Sequence, residues 1–69
     1  MISYEPLWQT MSDKGISTYY LREQCGMSAA TINRLKNNAP INTVTIDKLC
    51  DILDCDVNNI LKYTKTNNE

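Results

Sequence analysis

The chain has 69 residues and no histidine. Its three cysteines, Cys25, Cys50 and Cys55, are an odd set without Cys-x-x-Cys spacing. A zinc site therefore lacks both its ligand types and its spacing, and no disulfide framework is expected. The three thiols read instead as reduced, small apolar packers. No metal and no cofactor is expected. There is also no nucleophile–base pair, and the carboxylates are scattered over helix faces predicted to be exposed. An enzyme is not expected from such a set. The sequence contains no run of about 18 apolar residues, so no membrane-spanning helix is predicted. Its first residues, MISYEPLW, carry neither a basic region nor an apolar stretch, so no signal peptide is expected. A cytoplasmic location is the expectation. Finally, an excess of positive charge is missing. Seven Lys and Arg stand against eight Asp and Glu, for a net charge of −1. Nucleic-acid-binding domains are commonly basic, so this balance speaks against a phosphate-gripping surface.

Distribution changes that last conclusion. Residues 14–48 carry Lys14, Arg22, Arg34, Lys36 and Lys48 against Glu23 and Asp47, five against two, or +3. Residues 1–13 carry only Glu5 and Asp13, or −2. In residues 49–69, Lys62 and Lys65 face Asp51, Asp54, Asp56 and Glu69, again −2. A mildly basic centre lies between acidic ends. With 42% apolar residues the chain suits one small globule. A domain of this size buries only about 60% of its unfolded surface, so it depends on close helix packing or a partner subunit.

Apolar spacing predicts five helices and no strand. The first runs from Ser3 to Lys14, with Ser3 as cap, Pro6 in the first turn and Tyr4, Leu7, Trp8 and Met11 on the inner stripe. Gly15 ends it. The second begins at Ser17 or Thr18 and ends near Cys25, with Leu21 and Cys25 inward and one of Tyr19 and Tyr20 buried. Gly26 supplies a positive-φ turn. The third runs from Ala29 to Asn37, capped by Ser28, with Ile32 and Leu35 inward and Asn38 in the left-handed region. A fourth runs from Thr43 to Leu53 with Ile46, Leu49, Cys50 and Leu53 as its stripe. A short fifth runs from Val57 to Tyr63, with Asp56 as cap. Residues 1–63 form the domain, and the polar end 64–69 is expected to be disordered.

The segment Ser17–Asn38 is the most informative. Two short helices joined by a tight glycine turn form a helix-turn-helix, a device that presents its second helix to the DNA major groove. The run LREQCGMSAATINRL resembles the motif of the phage-repressor (Cro-like, XRE-type) family. Gly26 matches the turn glycine, and Leu21, Cys25, Met27, Ile32 and Leu35 match its apolar positions. The following INTVTIDKLCDILDCDVNNILKY looks like the family's last two helices. Arg22 departs from the pattern, because a small residue is usual there. Its stem can bend outward and keep the head in water.

This resemblance implies an all-α, five-helix, lambda-repressor-like DNA-binding domain with the helix-turn-helix formed by helices 2 and 3. It implies base reading by Ala29, Ala30, Thr31, Asn33 and Arg34. Arginine pairs bidentately with guanine, asparagine with adenine, and small apolar groups pack on the thymine methyl. Phosphate contacts fall to Thr18, Lys36, Asn37, Asn38, Thr43 and Thr45, several of them near helix N-termini. Ile60, Leu61 and Tyr63 are candidates for a dimer interface and equally for plain core. The functional expectation is sequence-specific binding to double-stranded DNA by a dimeric repressor at a palindromic operator, with no small-molecule ligand. A protein-interaction module of antirepressor or antitoxin type, keeping the fold without DNA binding, is the alternative. The near-zero charge and the two alanines favour that alternative.

Overall fold

The computed structural model describes residues 1–65. In chain order its elements are β1 (Ile2–Ser3), α1 (Glu5–Lys14), α2 (Thr18–Glu23), α3 (Ala29–Lys36), α4 (Thr43–Leu53), a 3₁₀ turn (Val57–Asn59) and β2 (Lys62–Tyr63). Each helix start has a local cause. Ser3 Oγ accepts the Glu5 N–H at 3.1 Å, and Pro6 occupies the first turn of α1, where no N–H is needed. Ser17 Oγ accepts the Tyr20 N–H at 3.1 Å. Ser28 Oγ accepts the Thr31 N–H at 3.1 Å, and Asn42 Oδ1 the Thr45 N–H at 2.9 Å. Ser17, Ser28 and Asn42 are the caps expected at a helix start and each satisfies one open donor, whereas α1 begins later than Ser3, with Tyr4 at its N-cap and Ser3 in β1. Helix ends are equally local. Gly15 stops α1 at φ 67°, Gly26 turns the chain at φ 73°, and Asn38 follows α3 at φ 54°.

These elements close around one apolar core. Leu7, Leu21, Leu35, Leu49, Leu53 and Ile60 are fully buried, joined by Tyr4, Met11, Met27 and Ile32. Every one of the four helices contributes at least one of them. Burying a Leu or Ile is worth about 1.5–3 kcal/mol, so the spacing of these residues fixes which face of each helix turns inward. Trp8, Ile16, Ile41 and the three cysteines pack partly buried against this core.

The structure corrects four expectations. The fold has four α-helices among the described residues, not five. Beyond Asp56 the chain forms only a 3₁₀ turn, because a β-branched Val57 and two asparagines are weak helix formers. Asn59 Oδ1 also turns back to accept the Asp56 N–H at 3.2 Å. Ile60 then enters the core and the chain extends. Second, strands exist. Antiparallel β1 and β2 pair Ile2 with Tyr63 and Ser3 with Lys62. Third, Tyr19 and Tyr20 are both exposed, since the six-residue α2 buries Leu21 alone. Helix α2 also ends at Glu23, before Cys25. Residues 66–69 of the expected disordered end lie outside the described residues. Among the described residues no helix is long and apolar enough to cross a membrane.

Candidate nucleic-acid interface

Helix α3 is held by two inward side chains, Leu35 at 0% and Ile32 at 6% exposure. A helical residue turns about 100° from its neighbour, so the positions between these anchors must face out. Ala29, Ala30, Asn33, Arg34 and Lys36 are all exposed. Small residues occupy the first turn, and the longer polar side chains follow. Among the described residues, neither the Arg34 nor the Asn33 side chain is held in an intramolecular hydrogen bond or ion pair. Thr31 differs. It is half-buried, and its Oγ1 accepts a hydrogen bond from the Ser28 hydroxyl at 3.0 Å, so the cap engages it.

The phosphate candidates divide in the same way. Lys36 and Thr43 are exposed at the end of α3 and the start of α4. Asn37 is exposed, but its Nδ2 donates back to the Asn33 carbonyl at 2.8 Å. Asn38 faces a different task. Its Oδ1 accepts the Tyr4 N–H at 3.0 Å and so ties the start of α1 to the end of α3. Thr45 is half-buried, with its hydroxyl donating to Asn42 Oδ1 at 3.1 Å. Thr18 is half-buried at the start of α2. Because Asn42 takes the Thr45 N–H, the N–H groups of Thr43 and Val44 lie at the open end of α4, where anions are favoured.

One residue escaped sequence reasoning. Lys48 lines a groove with Gly26, Met27, Ser28, Thr31 and Thr45, between the turn of the motif and α4. Lys48 thus lies across this groove from the start of α3. The signal was available: Lys48 lies three residues after Thr45 and so shares its helix face. Arg22, by contrast, is spent locally. It pairs with Glu23 at 3.6 Å with both side chains about half exposed, a pairing worth little in water. Among the described residues Arg34, Lys36 and Lys48 are exposed and form no ion pair.

The dimer candidates do not stay together. Ile60 is fully buried, so it is a core residue and offers no surface to a partner. Leu61 packs partly buried against the same core. Tyr63 alone is exposed, at 68%, and it sits directly across the small sheet from Ile2, exposed at 42%.

A family model for the Cro/C1-type HTH DNA-binding domain matches residues 6–66. The crystal structure of the transcriptional regulator VanUg superposes with a TM-score of 0.82. It is 30% identical over 88% of this chain and 81% of that one. No curated protein matches.

Proposed function

Since the chain belongs to the Cro/C1-type HTH DNA-binding domain family, we propose that it is a non-enzymatic, cytoplasmic transcriptional repressor that reads double-stranded DNA as a homodimer. The observation that carries this reading is the outward face of α3. Two alanines let the front of the helix approach the base edges, and Asn33 and Arg34 stand behind them, exposed and unengaged. Arg34 reads a guanine through O6 and N7, Asn33 an adenine, and Ala29 or Ala30 packs on a thymine methyl. Thr31 contributes its methyl group only, because its hydroxyl serves the cap. Lys36, Lys48, Thr43 and the open end of α4 hold phosphates and set the register. Thr18, Thr45 and Asn37 assist from the edges.

Arg34, Lys36 and Lys48 are three cations per subunit, too few for tight specific binding. A palindromic operator read by two subunits one helical turn apart doubles both the contacts and the sequence read. We assign the dimer contact to the exposed Ile2–Tyr63 pair, a compact apolar spot beside the buried Ile60.

Titration of the folded chain against random duplex DNA tests the reading. The logarithm of the binding constant should fall linearly with the logarithm of salt, with a slope of about −0.9 for each phosphate neutralised. Selection of sites from random DNA should then return two half-sites related by symmetry. A folded chain with no binding at low salt would leave the protein-interaction module as the reading.

A further inference from the structure

The end of α4 brings two thiols together. Asp54, at φ 50°, takes the left-handed conformation that closes the helix. Both the Asp54 and the Cys55 N–H then return to the same acceptor, the Cys50 carbonyl, the latter at 3.1 Å. The Cys55 bond is the 6→1 bond of a Schellman-type helix end, and the Asp54 bond is the 5→1 bond of the simpler left-handed cap. The outermost residue of a Schellman-type end characteristically packs its side chain on the residue five positions earlier. Here those two residues are Cys55 and Cys50. Both are half-buried free thiols, and both line one open groove with Val44, Ile46 and Val57. Cys25 lies in the turn after α2 and does not line that groove.

We propose that Cys50 and Cys55 form a dithiol site which a small-molecule disulfide closes into an intramolecular bridge. A disulfide needs its two Cα atoms close together, and the hydrogen bond from Cys55 N to Cys50 O at 3.1 Å holds the two backbones against each other. The groove is open, so a reagent can reach either sulfur. Partial burial pushes the Cys55 thiol up, the adjacent Cys50 thiol adds to the shift, and Lys14 opposes it. Cys55 is therefore the slower of the two to supply a thiolate by its own ionisation.

Closure is a two-step exchange. One cysteine, as its thiolate, attacks a sulfur of glutathione disulfide. A protein–glutathione bond forms, the glutathione S–S bond breaks, and one glutathione thiolate leaves. The second cysteine gives up its proton to solvent and attacks the protein sulfur of that mixed disulfide. The Cys50–Cys55 bond forms and the second glutathione leaves. The protein loses two hydrogens and two electrons, and the reagent gains both as two thiols. The bridge then holds the left-handed turn at Asp54.

The sequence makes the test direct. No Lys or Arg lies between Cys50 and Cys55, so trypsin leaves both in the peptide Leu49–Lys62, and Cys25 in Glu23–Arg34. The whole folded chain is equilibrated with glutathione redox buffers, trapped with acid, digested and weighed. Leu49–Lys62 should become lighter by two hydrogens and resist alkylation, while the Cys25 peptide carries a glutathione cap. Half-closure should need at least roughly tenfold less glutathione disulfide than capping of Cys25, and less than the same chain needs in urea. In Cys55→Ser, Cys50 should keep its glutathione cap. Two capped or two free thiols in the wild-type peptide would overturn the proposal, as would equal closure in urea and in the folded state. The comparison of folded with unfolded wild type stands even if the variant does not fold.

Discussion

The helix-turn-helix and the paired chain ends are built by opposite means. In the first, every structural hydrogen bond is short in sequence. Ser17 caps at Tyr20, Ser28 caps at Thr31, and the Met27 N–H returns to the Leu21 carbonyl. In the second, nearly every bond joins distant residues. Ile2 pairs with Tyr63, Tyr4 bonds to Asn38 and Ala39, and the N-terminal ammonium meets the Thr64 carbonyl at 2.6 Å. The first region leaves Asn33 and Arg34 unengaged on its outer face, whereas the second directs its polar groups inward on itself. The contrast separates presenting a surface from closing a fold. A small domain needs both, because local caps alone stabilise a short helix too little to hold its outer face still. The two regions also meet: the Ala39 N–H donates to the Arg34 carbonyl at 2.8 Å, and the Ala39 carbonyl accepts from Tyr4.

The largest effect should come from breaking the inner face of the reading helix. Leu35 is fully buried. Leu35→Ala should cost about 2–5 kcal/mol through lost transfer energy and the cavity left behind. That is a large share of the stability of any small domain. Urea unfolding followed by circular dichroism measures it. A change below about 1 kcal/mol would mean that α3 is rotated from its position here, and the face assigned to DNA with it.

Next comes the outer face of the same helix. Arg34→Ala should leave the unfolding curve nearly unchanged, since the side chain is exposed. It should cost about 1–3 kcal/mol of binding and relax preference at one base position. Selection from random DNA with wild type and variant side by side reads both quantities. Equal weakening on all sequences would make Arg34 a phosphate contact. The two substitutions together separate the anchor of the helix from its message, although the residues are adjacent.

The same division explains what could be read from sequence. Ser28 was legible as a cap because it acts on an amide three residues away. Gly15, Gly26 and Asn38 were legible as left-handed positions for a similar reason. The stripes through Leu7 and Met11, Ile32 and Leu35, and Leu49 and Leu53 followed from helical period. The outer face of α3 is their complement. What was hidden is non-local. A two-residue strand has no period to detect, and its partner lies at the far end of the chain. Asn38 was legible as a turn residue, but its side-chain bond to Tyr4 was not. Ile60 stood equally between dimer surface and core in the sequence, and only the turn of the chain at Val57–Asn59 places it in the core. Lys48 entered the charge count, yet its place beside Ser28 depends on how α4 packs.

A smaller effect should come from the link between the two regions. The buried Tyr4 donates its hydroxyl to the Ala39 carbonyl at 2.7 Å. Tyr4→Phe keeps the ring and leaves that carbonyl without its donor, at a cost of about 1 kcal/mol. The midpoint of urea unfolding should shift with no change in its slope. The sequence preference on DNA should not change. An altered preference would mean that the paired ends set the angle of α3 through Ala39, and the two regions would then be one functional unit.

The smallest effect belongs to the ion pair that fastens β2 to α1. Lys62 Nζ lies 2.8 Å from Glu5 Oε1. The bond from Lys62, and then its charge, hold the Glu5 carboxyl below its usual value of 4.5. A carboxyl lowered in the folded state adds stability above its unfolded pKa, and this stability is lost as pH falls through the folded value. The contribution is therefore complete at neutral pH and should fade only below about pH 4.5. Both side chains are in water, so salt should weaken the pair as well. Glu5→Gln removes the titration. Its melting temperature should lie slightly under the wild-type value at pH 7 and converge with it as the pH falls toward 3, or as salt is raised toward about 1 M. Curves that stay parallel across that range would show that the charge of Glu5 contributes nothing, whereas convergence is expected both from the pair with Lys62 and from the open N–H groups at the start of α1, which also favour a negative charge. Lys62→Met tells these apart, because it removes the pair and leaves Glu5 on the helix.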